Sequence, residues 1–148
     1  MSECRGLGGR RRCALRSGVI ALLLALASTA AARAETRVRG VTALERAGAT
    51  RITVELSVKA KPVLFHLPAD PATGRPERVG LHFESATLDL PGPGRIVVGD
   101  GRVSTVRYGP TPDGGVRVLV DLLRPTRHRA MRHVGPHRIE LDVMDVAR

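Results

Sequence analysis

Five histidines, His66, His82, His128, His133 and His137, are the first residues of this chain that could do acid–base or metal chemistry. His133 and His137 stand four apart, the spacing that places two metal ligands on one face of a helix. Gly135-Pro136 lies between them and breaks any such helix. No His-Glu-x-x-His motif occurs. Ser57, Ser85 and Ser104 lack the Gly-x-Ser-x-Gly setting that exposes a nucleophile. Pro91-Gly92-Pro93-Gly94 cannot cradle a phosphate, because each proline removes a backbone donor. The expectation is a protein that is not an enzyme, with no catalytic residue, no metal and no cofactor.

Arginine is the more informative type. Arg51, Arg78, Arg117 and Arg138 each sit in a stretch of alternating aliphatic residues, and Arg107 stands beside Tyr108. A guanidinium group can grip a carboxylate in a two-bonded fork. Arg51, Arg78, Arg107, Tyr108, Arg117 and Arg138 are therefore the candidate ligand-binding residues. The competing use of the arginines is internal: Glu55, Asp121, Glu140 and Asp142 lie on neighbouring stretches. Such cross-strand pairs contribute only about 0.2–1 kcal/mol each and keep a sheet soluble.

The arginines must be carried by strands. Val116-Arg117-Val118-Leu119-Val120-Asp121-Leu122 alternates with a period of two, and Asp113-Gly114-Gly115 makes a turn before it. Residues 51–56 repeat the pattern Arg-aliphatic-x-Val-acid-Leu. Val63, Phe65 and Leu67 form one apolar row, expected to face inward, as do Val79, Leu81 and Phe83. With both phenylalanines inside, Tyr108 is left as the aromatic ring free to stack on a sugar. Residues 68–76 hold three prolines and a glycine and read as an exposed loop. No stretch keeps a period of 3.6, so the fold class is all-β, with some eight short strands facing one another in two sheets.

The order of segments repeats. Val38 and Val103 are 65 positions apart, Arg51 and Arg117 are 66 apart, and Arg78 and Arg138 are 60 apart. The shorter last offset matches the long loop at 68–77 against the short one at 134–137, since loops tolerate insertions. The expectation is a β-sandwich built from two similar halves.

Residues 1–34 have the order of a secretory signal peptide. A basic start with Arg5, Arg10, Arg11, Arg12 and Arg16 precedes the apolar run 19–27, and Ala32-Arg33-Ala34 offers a cleavage site before Glu35. The apolar run is too short to cross a bilayer core of about 30 Å. Arg11-Arg12-Cys13-Ala14-Leu15-Arg16 is similar to the twin-arginine export signal. The domain is then 35–148, with net charge +5 instead of +10, and both cysteines, Cys4 and Cys13, leave with the leader. An exported domain without disulfides must be held by packing alone. Its basic surface would meet anionic glycan peptides, lipid headgroups or acidic proteins, with no nucleic acid partner and no stable membrane insertion after cleavage.

Taken together, residues 51–56, Phe65-His66-Leu67, Pro76-Glu77-Arg78-Val79, Val103-Ser104-Thr105-Val106-Arg107-Tyr108-Gly109, Val116–Leu122 and 138–143 follow an order that resembles the AMIN domain. That domain is the N-terminal targeting module of periplasmic N-acetylmuramoyl-L-alanine amidases, and it also occurs in secretin-type pilus proteins and alone. The resemblance implies a symmetrical pair of β-sheets and a non-catalytic periplasmic module that docks on peptidoglycan or a cell-envelope complex. The alternative it leaves open is a protein–protein interaction module of a secretin or pilus assembly, without glycan binding. One departure stands out. The family often has an acid where His82 stands, while Asp142 keeps it in the second half. If that acid pairs with an arginine, the His82 half lacks the pair.

Overall fold

The alternation in Val116–Leu122 has a direct structural meaning. Val116, Val118 and Val120 are fully buried and Leu122 nearly so, while Arg117 points to solvent. The computed structural model describes residues 34–146, so the expected leader at 1–34 lies, except for Ala34, outside the described residues. Ten strands follow in order: β1 (Thr36–Arg46), β2 (Ala49–Leu56), β3 (Val63–Leu67), β4 (Arg78–Phe83), β5 (Ala86–Leu88), β6 (Gly94–Val97), β7 (Val103–Pro110), β8 (Val116–Leu122), β9 (Thr126–Val134) and β10 (His137–Asp145). The described residues contain no helix.

The strands form two five-stranded sheets. Sheet A has the order β5-β1-β2-β10-β9 and sheet B the order β3-β4-β8-β7-β6. All pairings are antiparallel except β1 with β5, the short strand that the sequence pattern does not announce. Between the sheets lies one core in which Ile52, Val54, Leu81, Val118, Ile139 and Leu141 are almost wholly removed from water. Each such side chain contributes about 1.5–3 kcal/mol on full burial.

The topology bears out the repeat. The β1–β2 hairpin of the first half lies in sheet A and the β3–β4 hairpin in sheet B; the corresponding β7–β8 and β9–β10 hairpins lie in the opposite sheets. The correspondence extends to irregularities. The β1–β2 register shifts between Val38 and Gly40, and the β7–β8 register shifts between Val103 and Thr105. The two bulges fall at positions 65 apart. Ser57 N–H donates to Arg37 O at 2.9 Å, and Leu123 N–H donates to Arg102 O at 2.8 Å, again 66 and 65 positions apart. The bulge also explains why Val38 and Val41 are both buried although they are three positions apart: the extra residue resets the alternation.

Two assignments of facing, one inward and one outward, need correction. Val63, Phe65 and Leu67 lie on the outer face of sheet B. The reason is register: Phe65 is opposite Gly80 and Leu64 is opposite Leu81. Directly opposed residues share a face, and β4 is committed by Val79, Leu81 and Phe83, which point into the core. Gly80 accommodates the ring; a Cβ there would stand 2.3 Å from Phe65 Cζ. Tyr108, expected to be free, is opposite Val118 and packs half-buried against the core. The bulge at Ser104 moves it to the inner face.

The two phenylalanines therefore differ in energetic weight. Phe83→Ala is expected to cost about 3–5 kcal/mol as a core truncation, and Phe65→Ala about 1–2 kcal/mol, because its ring lies on the sheet's surface. Urea unfolding of both variants checks this; equal losses would place Phe65 in the core.

Candidate functional site

The outer face of sheet B can be read row by row from its registers. One row runs Val63, His82, Arg117, Gly109. The next runs Phe65, Gly80, Leu119, Arg107, Arg95. The third runs Leu67, Arg78, Asp121, Thr105, Val97. Four arginines thus share this face with one carboxylate.

That carboxylate is already engaged. Asp121 accepts from Thr105 Oγ1 at 2.7 Å and from Arg107 Nη2 at 2.8 Å. Arg107 stays half exposed with its remaining donors free. Arg78 is across from Asp121 in register but makes no ion pair among the described residues, and its buried Nε has no hydrogen-bond partner. Arg117 also makes no ion pair; its Cζ lies 5.6 Å from the Phe65 ring centroid. Such a contact is worth about 0.5–1 kcal/mol at an exposed site. Beside it, His82 Nε2 is 3.6 Å from Asp113 Oδ2. The Asp113 carboxyl is held below its usual range, chiefly by a hydrogen bond from Thr111, with smaller contributions from His82 and Arg117.

Sheet A shows what the same positions do when an acid is present. Arg51 and Asp142 are partners in register, as Arg117 and His82 are in sheet B. Arg51 Nε and Nη2 donate to the two Asp142 oxygens at 2.7 and 2.8 Å, a two-bonded fork, and Nη1 lies 2.9 Å from Glu140 Oε2. Arg138 Nε donates to Glu140 Oε1 at 2.8 Å, and His133 Nε2 lies 3.1 Å from Glu140 Oε2. Arg51 and Arg138 are spent on their own sheet. The Arg51 hydrogen bond holds the Asp142 carboxyl below its usual range against a smaller opposing effect of burial. Glu140 is lowered likewise, first by Arg138 and then by Arg51 and His133.

The six candidates therefore do not form one site. Arg78, Arg107 and Arg117 are brought together on sheet B, Arg51 and Arg138 lie on sheet A, and Tyr108 faces inward. Of the histidines, His133 joins the Glu140 cluster, and His66 pairs with Glu77 at 2.7 Å and stacks on His128. Among the described residues, no three His, Cys, Asp or Glu side chains converge as metal ligands, and no helix is long and apolar enough to cross a membrane. An open cleft of about 940 Å³ at one end of the sandwich is lined by Lys59, Lys61, Glu84 and Ser85 among others, charges of both signs with no convergent geometry.

The strand pattern does not mark Arg102, a largely buried arginine at the other end. Its Nε donates to Thr50 Oγ1 at 3.2 Å and its Nη2 to the Ala49 carbonyl at 3.4 Å, so it ties sheet B to sheet A. Asp100, between Gly99 and Gly101 at positive φ, accepts from Arg102 N–H at 2.9 Å and Val103 N–H at 2.8 Å, and also from the Thr50 hydroxyl. Burial pushes the Asp100 carboxyl up, but these bonds and the Arg102 charge outweigh it and leave it lowered. The available signal was an aspartate between two glycines, the usual setting for a side chain that closes its own turn.

No protein-family model matches the chain, and no curated protein matches it.

Two outcomes follow. In His82→Asp, the new carboxylate should draw Arg117 off Phe65 into the fork that Arg51 makes with Asp142, raising stability by about 0.5–1 kcal/mol; an unchanged Arg117 Nε–H resonance would refute this equivalence. Asp100, Glu140 and Asp142 bind protons more weakly folded than unfolded, so their stabilisation is complete above the ordinary carboxylate range and is lost as pH falls through it. Urea unfolding should show stability falling from about pH 5 to about pH 3, with a shallower fall in Asp142→Asn.

Proposed function

We propose that this chain is an exported, non-catalytic binding module that docks on peptidoglycan or a cell-envelope complex through the outer face of sheet B. The observation that carries this reading is the state of its arginines: among the described residues Arg78 and Arg117 make no ion pair, and Arg107 keeps free donors. Guanidinium donors that no acid of the sheet holds are suited to a carboxylate supplied from outside. The peptide stems of peptidoglycan carry such carboxylates. The Phe65 ring beside Arg117 adds an apolar surface for a sugar or an acyl side chain. The order of motifs that resembles the AMIN domain and the signal-peptide-like order of residues 1–34 support the same reading, with a periplasmic location.

The experiment is co-sedimentation with purified sacculi. Arg78→Ala combined with Arg117→Ala should weaken binding by about tenfold or more, roughly 1.4 kcal/mol, and added salt should weaken the native protein's binding too. Undiminished sedimentation of a folded double variant would remove sheet B from the contact. No sedimentation of the native protein would favour the second reading, a protein-interaction module of an envelope assembly.

A further inference from the structure

Among the described residues, each sheet ends in two strands whose outer N–H and C=O groups have no ladder partner, and natural proteins blunt such edges. In sheet A, β5 has only three residues, while β9 carries Arg127, Arg129 and Arg132 and no acid. Arg132 is opposite the buried Ile139 and so lies on the inner side, a charge that a docking strand would have to bury. In sheet B, β6 has four residues and is preceded by Pro91 and Pro93.

β3 is flanked by Pro62 and Pro68, but within its five residues it has none of these protections. Val63-Leu64-Phe65-His66-Leu67 contains no lysine, arginine, acid or proline, and Val63, Leu64 and Leu67 are 50%, 41% and 36% exposed. Its surroundings are cationic. Lys59 and Lys61 precede it, Arg78 and Arg117 stand over its outer side, and Arg132 lies on the neighbouring β9 edge, which His66 meets through its ring stack on His128 at 6.1 Å. Of the acids nearby, Glu77 is taken by His66, and Asp113 lies 3.6 Å from His82, the residue opposite Val63.

The geometry points to β3 as a docking edge for an extended segment of a partner protein in which apolar and acidic residues alternate. The backbone of that segment completes the open side of β3 as a sixth strand of sheet B. Its apolar residues cover Val63 and Leu67, or Leu64, depending on the side, and its acids meet the flanking cations. A second copy of this chain is disfavoured, because it would bring Lys59 and Lys61 of each copy against a like-charged edge. Glycan binding is not required for this edge to work.

The test is a titration of the purified protein with a synthetic peptide of alternating valine and glutamate, read by backbone amide hydrogen exchange. Amides of Val63–Leu67 should become at least about tenfold slower to exchange, with β5, β6 and β9 unchanged. A peptide with lysine in place of glutamate, and one with alternate backbone nitrogens methylated, should each bind at least about tenfold more weakly. Leu64→Glu should weaken the glutamate peptide similarly while sacculus sedimentation is unchanged; the methylated peptide gives the same discrimination on native protein if that variant does not fold. Protection on β9 instead, no protection, equal binding of the lysine peptide, or β3 protection that grows with protein concentration alone would overturn the proposal.

Discussion

Two central strand pairs, β2 with β10 and β4 with β8, are each made of strands from opposite halves of the chain, and the rest of the molecule follows from their registers. Ile52 faces Leu141 and Val54 faces Ile139 in one sheet; Leu81 faces Val118 and Val79 faces Val120 in the other. All eight side chains are buried. A slip of one residue in either pair would turn an aliphatic row to water and bring arginines into the core, so the register is strongly specified. It also interlocks the halves. Within one half, the two hairpins lie in different sheets and find their central partners only in the other half.

Once this register is set, the outward residues have no choice of neighbour. The arginine near the start of β2 meets residue 142, and the arginine near the start of β8 meets residue 82. Aspartate at 142 and histidine at 82 send two equivalent guanidinium groups to different fates. In sheet A, the group is held by both oxygens of Asp142 and by Glu140, with its charge neutralised inside the molecule. In sheet B, it is left to lie over Phe65. The near-symmetry of the backbone is what makes the chemical asymmetry readable: the two faces differ by side chains at matched positions, not by architecture.

The central strands and their repeat were legible because both rest on a period of two over well-buried aliphatics. What was not legible depended on neighbours rather than on pattern. In β3 both alternating rows are largely apolar, so alternation alone cannot say which faces the core; Gly80 across the ladder decides it. Tyr108 follows a bulge, and a single extra residue reverses the side on which everything after it falls. Arg102 looks like any arginine beside a turn, and only the meeting of the two sheets encloses it with Asp100 and Thr50. The pairing of Arg51 and Arg138 with Asp142 and Glu140 was one of two uses open to them, and the structure realises it.

Gly80 connects the two features of sheet B that matter most. Because it has no side chain, the Phe65 ring occupies the space over it, and Arg117 Cζ lies 5.6 Å from the centroid of that ring. The contact leaves the guanidinium N–H donors of Arg117 without an ion-pair partner among the described residues. On the proposed binding role, a long side chain held in this way has already lost part of its rotamer freedom, so less of it would be lost on gripping a carboxylate. The same ring stands at the middle of β3, where it keeps the edge strand pressed on β4. Position and charge are thus supplied together: one contact orders the free arginine and steadies the open edge beside it.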